Sequence, residues 1–250
     1  MRVEPRLRVA AFRPDDERLE EATELLESLG ADPVPDPMLA VEPTGSSPRT
    51  DAEYVVFTSK TGVELAVEKG WSAGDETVCA IGESTAAALR EAGIDVDLVP
   101  EEFSSTGLVE ALEGEVAGNR VEVARSDHGS EVLTEGLEVA GAYVHETVLY
   151  RLVRPPESGE STELAAEGDL DAALFTSSLT VRHFLAAAAD RGKRAAAIDG
   201  LQDATVGAIG EPTRETAENA GIPVDVVPET ASFEELACAV VEAAAPTHHE

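Results

Sequence analysis

An α/β fold built twice over is predicted by this 250-residue sequence, and three observations carry the prediction. Short apolar runs alternate with stretches of helical periodicity along the whole chain. Gly, Pro, Asp and Ser stand at the changeovers, so the connections are short. The chain also repeats itself. "AIGESTAAALREAGIDVDLVPE" at Ala80–Glu101 aligns without a gap with "AIGEPTRETAENAGIPVDVVPE" at Ala208–Glu229, and 13 of the 22 positions are identical. Strand–helix alternation with short loops calls for parallel sheets with helices on both faces. A repeat of this length calls for two lobes. The expectation is two flavodoxin-like three-layer lobes.

Taken in order, Leu7–Phe12 reads as a strand. Pro14 and Asp15 open a helix that sets Leu19, Ala22, Leu26 and Leu29 on one face, and Gly30 closes it. "EYVVFTS" is a buried strand ending in a hydroxyl pair, Thr58–Ser59, at a helix start. "TVCAIGEST" is a strand that runs through a Gly turn into a helix stopping at Gly93. "VDLVP" reads as a short strand, and the Ser-rich "FSSTGLVEAL" as the start of a further helix. The second copy repeats this order. "RVEVARSDHGSEVLTEGLEVAGAYV" from Arg120 parallels "RVAAFRPDDERLEEATELLESLGADPV". "AALFTSSLTVRHFL" (Ala172–Leu185) parallels "YVVFTSKTGVELAV" (Tyr54–Val67), and "ASFEELACAV" (Ala231–Val240) parallels Phe103–Leu112. Ser232 and Glu235 have capping-box spacing. The repeat alone suggests tandem units, 1–115 and 118–245.

Composition excludes several function classes. Fifty Asp and Glu stand against 18 Lys and Arg, of which three are lysines (Lys60, Lys69, Lys193), for a net charge of −32. The acids are spread between apolar positions, as on a folded surface. There is no basic stripe to displace phosphate counterions, so neither nucleic acid nor an anionic membrane is an expected partner. Such a surface repels itself at ordinary salt, and at molar salt the Debye length falls to about 3 Å. A halophilic protein in a very salty cytoplasm is the expectation. "MRVEPRLRVAAF" has no apolar signal core, and "ELACAVVEAAA" is too short and too acidic to span a bilayer. A soluble, cytoplasmic monomer is expected. Aromatic residues make up 4%, so Ala, Val, Leu and Ile are expected to build the core. Cys79 and Cys238 are isolated and read as ordinary buried thiols. His128, His145, His183, His248 and His249 lack ligand spacing, and the "HHE" end reads as a frayed tail. No metal is expected. GxGxxG, Walker and GxSxG motifs are all missing, so no cofactor is expected either.

What remains is a set of hydroxyls and backbone N–H groups at helix starts, present in both copies. Thr58–Ser59 and Thr176–Ser177 end strands and precede helices; Thr85 and Thr213 lie in the first turn of the next helix. Each reads either as a helix cap or as part of an anion cradle. Gly82 and Gly210 fit both readings. In parallel sheets, ligands sit outside the carboxyl ends of the strands, where all of these fall. Tyr150, in "ETVLYRLVRPP", reads as a packing residue on a strand or as a proton donor in a cleft. Arg13, Lys60, Arg125, Arg151 and Arg182 are the basic residues near strand ends.

The ordered set "VVFTSKTGVE", "AIGESTAAALREAGIDVDLVPEEFSSTGLVEAL", "GAYVHETVLYRLV", "ALFTSSLTVRHF" and "AIGEPTRETAENAGIPVDVVPETASFEELACAV" resembles uroporphyrinogen III synthase. The likeness runs from Ala10 to about Val241, and the opening "FRPDDERLEEATELLESLGADPV" shares the family's Arg-Pro after the first strand. The resemblance implies a discontinuous first lobe, 1–36 with 155–250, and a second lobe, 37–154. Linker strands near 37–42 and 149–155 would join them. It implies cyclisation of hydroxymethylbilane to uroporphyrinogen III, with inversion of ring D and loss of water, without a cofactor. Transient contact with hydroxymethylbilane synthase is a further implication. Thr58, Ser59, Gly82, Thr85, Arg125, Ser177, Gly210 and Thr213 would bind the octacarboxylate substrate. Tyr150 matches the family tyrosine proposed to assist loss of the hydroxyl. The chain departs from the family pattern after Val121–Ala124, where Arg125 is the only positive charge in "RSDHGSEVL". It departs again at Glu211–Pro212–Thr213, where one of two hydroxyls is absent. A non-catalytic two-lobed sensor of an anionic small molecule is the rival from another class.

Overall fold

The computed structural model describes residues 6–245. His248 and His249 of the "HHE" end lie outside the described residues. Along the chain the elements begin with β1 (Arg8–Phe12), α1 (Glu17–Ser28), β2 (Asp32–Pro35) and β3 (Ala40–Pro43). β4 (Tyr54–Phe57), α2 (Lys60–Glu68), β5 (Thr77–Ala80), α3 (Glu83–Glu91) and α4 (Ser105–Leu112) follow. Next come β6 (Arg120–Ser126), α5 (Glu131–Val139) and β7 (Tyr143–Val153). The last stretch holds α6 (Glu160–Glu167), β8 (Ala172–Phe175), α7 (Ser178–Asp190), α8 (Arg194–Gly200), β9 (Thr205–Ala208), α9 (Glu211–Asn219) and α10 (Phe233–Ala244).

These elements gather into two compact units. One takes the described residues up to Ala40 and from Val153 onward; the other is Val41–Leu152. The tandem division suggested by the repeat alone does not hold. The reason lies in the ladder: β1 takes β8 as its parallel neighbour, with Val9 opposite Ala172 and Phe12 opposite Phe175. The first sheet therefore needs a strand from the far half of the chain.

That sheet has the order β2-β1-β8-β9, with every ladder parallel. Successive side chains point to opposite faces. Val9, Ala11, Ala172 and Leu174 meet Leu26 of α1 and Leu236 and Val240 of α10. Ala10, Phe12, Ala173 and Phe175 meet Val181 and Phe184 of α7 and Ala197 of α8. The core is built mainly from Ala, Val, Leu and Ile, as the composition predicts, and the few aromatics gather within it. Phe12 stacks on Phe175 at 4.6 Å between centroids, and Phe184 closes on both at 5.4 and 5.6 Å.

The second unit holds a sheet of order β3-β7-β6-β4-β5, parallel from β7 to β5. Val55, Phe57, Val78 and Ala80 pack with Val63 of α2 and Leu89 of α3. Val56, Val121 and Val123 pack with Leu108 and Leu112 of α4 and Leu133 and Leu137 of α5. Each unit is thus a sheet between two helical layers. Strands buried on both faces read as near-continuous apolar runs.

The sequence repeat is also a repeat of geometry. Asp97 accepts the Val78 N–H at 2.8 Å, and Asp225 accepts the Val206 N–H at 2.8 Å. The "VDLVP" segment is nevertheless not a strand. Leu98 makes a single bridge to Cys79, and Val226 a single bridge to Gly207. Pro100 and Pro228 follow two residues on and have no N–H with which to extend the ladder. The capping box at Ser232 is only half formed. Ser232 accepts the Glu235 N–H, but Glu235 turns to the N–H of Thr230, because the Ser232 N–H already serves the Thr230 carbonyl. A complete box stands at Ser177 and Thr180 instead. Of the two thiols, Cys79 is buried, which pushes its pKa up to about 12. Cys238 is exposed on α10, contrary to the expectation of two buried thiols. Among the described residues, no helix is long and apolar enough to cross a membrane.

Candidate functional site

The carboxyl ends of the parallel strands carry the predicted site residues. In the Val41–Leu152 unit, Thr58 and Ser59 follow β4, Gly82 and Thr85 follow β5, Arg125 lies near the end of β6, and Tyr150 is in β7. In the other unit, Ser177 follows β8, while Gly210 and Thr213 follow β9. The fold brings Thr58, Ser59, Arg125 and Tyr150 together around a cavity of about 220 Å³, with Ser105, His128 and Ser130 also in its wall. Gly82 and Thr85 stand at a neighbouring helix start, outside this wall.

Tyr150 reaches the cavity through an irregularity in β7. The ladder pairs Arg125 with Val148 but Ser126 with Tyr150, so the register slips by one residue. Strict alternation would send Leu149 and Tyr150 to opposite faces. Instead both join the cluster against α2 and α3. Register slips of this kind re-aim a side chain at the rim of a sheet. The tyrosine is 7% exposed, and its phenol donates to Ser59 Oγ at 3.0 Å. Ser59 is the N-cap of α2 and also accepts the Gly62 N–H at 3.0 Å. Both acceptor positions of the serine are filled, which leaves its own proton to donate. A Cβ at Gly62 would lie 3.1 Å from that oxygen, so glycine leaves room for the capping serine.

Arg125 is almost wholly buried and already engaged. Its guanidinium pairs with Glu146 of β7 and donates to the Ser130 carbonyl at 2.6 Å. Gly129 is what lets it lie there, since a Cβ at that position would meet the arginine side chain at 2.4 Å. Glu146, Ser105, His128 and Ser130 escaped the sequence reading. Only the pairing of β6 with β7, two strands separated by α5, places Glu146 beside Arg125.

The starts of α3 and α9 differ from their neighbours. Asp16, Ser59, Ser104, Ser130, Ser177 and Ser232 cap their helices with a side chain. Gly82 and Gly210 offer none, so the first N–H groups of α3 and α9 have no side-chain acceptor. Thr85 and Thr213, one turn in, are 2% and 4% exposed, yet among the described residues their hydroxyls make no hydrogen bond. The first-turn acids Glu83 and Glu211 are held by Arg90 and Arg214. Free N–H groups, a helix dipole and an unpaired hydroxyl favour an anion at the start of α3; the start of α9 has fewer donors, because Pro212 has no N–H and the Thr213 N–H serves the Gly210 carbonyl. Phe103, 63% exposed, packs on Gly82, where a Cβ would come within 3.3 Å of its ring. Among the described residues, no group of three or more His, Cys, Asp or Glu is placed to hold a metal.

Comparison with known proteins places this geometry in a family. The family model for uroporphyrinogen-III synthase HemD matches residues 20–238. A Methanothermobacter thermautotrophicus protein provisionally named uroporphyrinogen-III synthase is 34% identical over 93% of this chain and 96% of its own length. An uncharacterised Bacillus subtilis protein, YjjA, is 29% identical over 91% of this chain and 92% of its own. The crystal structure of a mutant uroporphyrinogen III synthase from Thermus thermophilus superposes with a TM-score of 0.66, at 21% identity, over 95% of this chain and 98% of that one. The last likeness is one of fold, whereas the family match covers most of the sequence. The chain belongs to the uroporphyrinogen-III synthase HemD family.

Proposed function

We propose that this protein is a uroporphyrinogen III synthase, a lyase that closes hydroxymethylbilane into uroporphyrinogen III with inversion of ring D and release of water. One observation carries the proposal beyond family membership: a single cavity wall holds the Tyr150 phenol, its Ser59 partner and a helix start at the strand ends. Loss of the ring A hydroxyl needs a proton, and Tyr150 supplies it as water departs and the azafulvene forms. Ring D then attacks through its substituted carbon. The spiro product fragments and recloses with the ring inverted. As Tyr150 turns its proton to the substrate, Ser59 is free to donate its own to the phenolate. A general acid typically contributes about 10²–10⁴-fold, and the pyrrole nitrogen already assists departure of the protonated hydroxyl, so orientation is the larger task. The uncapped start of α3, with its Thr85 hydroxyl, binds an acidic side arm of the substrate beside the Tyr150 cavity of the same unit.

A coupled assay tests this. Hydroxymethylbilane is generated by its own synthase in molar KCl, with and without this protein, and the oxidised products are separated by isomer. Protein-dependent type III isomer is expected. Type I isomer accumulating at the uncatalysed rate, with the protein folded, would sink the proposal and leave a sensor of an anionic small molecule.

A further inference from the structure

We propose that Arg13 is a carboxylate-binding residue of the unit built on β1 and β8, and that it grips an acidic side arm of the substrate; this rests on the function proposed above. The two copies of the repeat carry the same strand-end arginine. "RVAAFR" ends at Arg13 after β1, and "RVEVAR" ends at Arg125 in β6. In its own unit, Arg125 is neutralised by Glu146 and donates to Ser130. The ladders show why Arg13 is not. Val123 of β6 stands opposite Glu146, while its counterpart, Ala11 of β1, stands opposite Pro35. Where one copy has a carboxylate, the other has a proline.

Among the described residues, Arg13 has neither an ion pair nor a hydrogen bond. Its Nε is sealed from solvent without an acceptor, while the two terminal nitrogens are not sealed. The guanidinium lies over the Phe233 ring at 4.6 Å, at the start of α10. That contact covers one side of the guanidinium, and its two terminal nitrogens stay open to a ligand. Asp16 and Glu21 act on it only through space, and both oxygens of Asp16 are committed to Arg18. Burial lowers the guanidinium pKa from its usual value, as expected for a charge lacking a partner. The Thr176 hydroxyl donates to the Phe12 carbonyl, tying the end of β8, and with it the Ser177 start of α7, to the residue before Arg13. A planar fork with unused donors suits a carboxylate gripped through both oxygens. In a chain of net charge −32, a strand-end arginine without a protein carboxylate stands out.

The test uses Arg13→Gln and Arg13→Lys in the full chain. Two quantities are read: KM against kcat for hydroxymethylbilane, and the Kd for uroporphyrin III, a stable octacarboxylate. Arg13→Gln is expected to raise both KM and Kd by about tenfold or more, the loss of one charge-assisted contact. The effect should fall on KM rather than kcat. Arg13→Lys keeps the charge without the fork and should recover part of the loss. If either variant folds and its KM and Kd equal those of the wild type, even with a lowered Tm, Arg13 is structural and the proposal is overturned. Should the wild type make no type III isomer, the proposed function fails, and porphyrin binding still decides whether Arg13 grips a carboxylate. A wild type that binds no porphyrin overturns both.

Discussion

Tyr150 owes its position to one irregular step in β7, and its usefulness to one oxygen of Ser59. Replacing it with phenylalanine keeps the ring in its cluster and removes only the hydroxyl. The lost hydrogen bond is worth about 1 kcal/mol, so Tyr150→Phe should fold and melt within a few degrees of the wild type. Its kcat for type III isomer should fall about a hundredfold, the low end for loss of a general acid. Full activity in the coupled assay would remove Tyr150 from the chemistry. Ser59→Ala separates the two roles of its neighbour, since it costs the α2 cap about 1 kcal/mol and also strips the phenol of its partner. At this scale the sequence was legible wherever a residue type implies a helix start: Ser59, Ser177, Gly82 and Gly210 all fall at N-caps. It was silent on Glu146, because nothing local tells an acid facing an arginine across a ladder from the many acids facing water.

Elements were read from periodicity, and the strands and helices lie where alternation and Gly punctuation put them. Gly30, Gly93 and Gly221 stand just past α1, α3 and α9 with φ of 82°, 79° and 88°. Local signals failed where a second bond competed, as in "VDLVP", where the aspartate carboxylate takes the strand N–H and proline halts the ladder. Two glycines show how contact, rather than residue type, sets the outcome of substitution. At Gly200, where α8 crosses α6, a Cβ would lie 1.7 Å from the Ala165 carbonyl oxygen. Alanine gains about 1 kcal/mol of helix propensity there, but the obstacle is backbone and cannot rotate away. Overpacking of about 1–3 kcal/mol or more wins, so Gly200→Ala should lower Tm markedly in a thermal melt. At Gly210 nothing lies within 4 Å of a built Cβ, and φ of −176° is open to any residue. Gly210→Ala should cost no more than about 1 kcal/mol as a poorer cap. If the α9 start binds an acidic side arm, its KM for hydroxymethylbilane should nonetheless rise several-fold. An unchanged KM would place the ligand elsewhere.

For the whole molecule, the hidden information was which strands meet. The repeat is plain in the sequence, but the first sheet joins β1 to β8 although the entire second unit lies between them in the chain, and Asp171 accepts the Arg8 N–H at 2.7 Å to seal that seam. Net charge, by contrast, is legible from composition alone and governs the molecule as a whole. Attractive surface pairs such as Arg120 with Glu53 and Asp51 form where basic residues allow. Arg120 holds the Glu53 carboxyl down to about 2, so that pair persists until the solution is strongly acidic. Exposed pairs are individually worth at most about 1 kcal/mol, and 18 basic residues can neutralise only 18 of 50 acids. Salt screens attraction and repulsion alike, so the sign of its effect follows the larger sum, and here repulsion is larger. Tm should therefore rise between 0.1 and 2 M KCl, by about 5 °C or more, since 1 kcal/mol shifts a chain of this size by about 2–4 °C. Most of the rise should come below 1 M, where the Debye length falls from about 10 to about 3 Å. A flat or falling Tm would mean that the paired arginines, few as they are, outweigh the acidic excess, and the halophilic reading of the composition would fail with it.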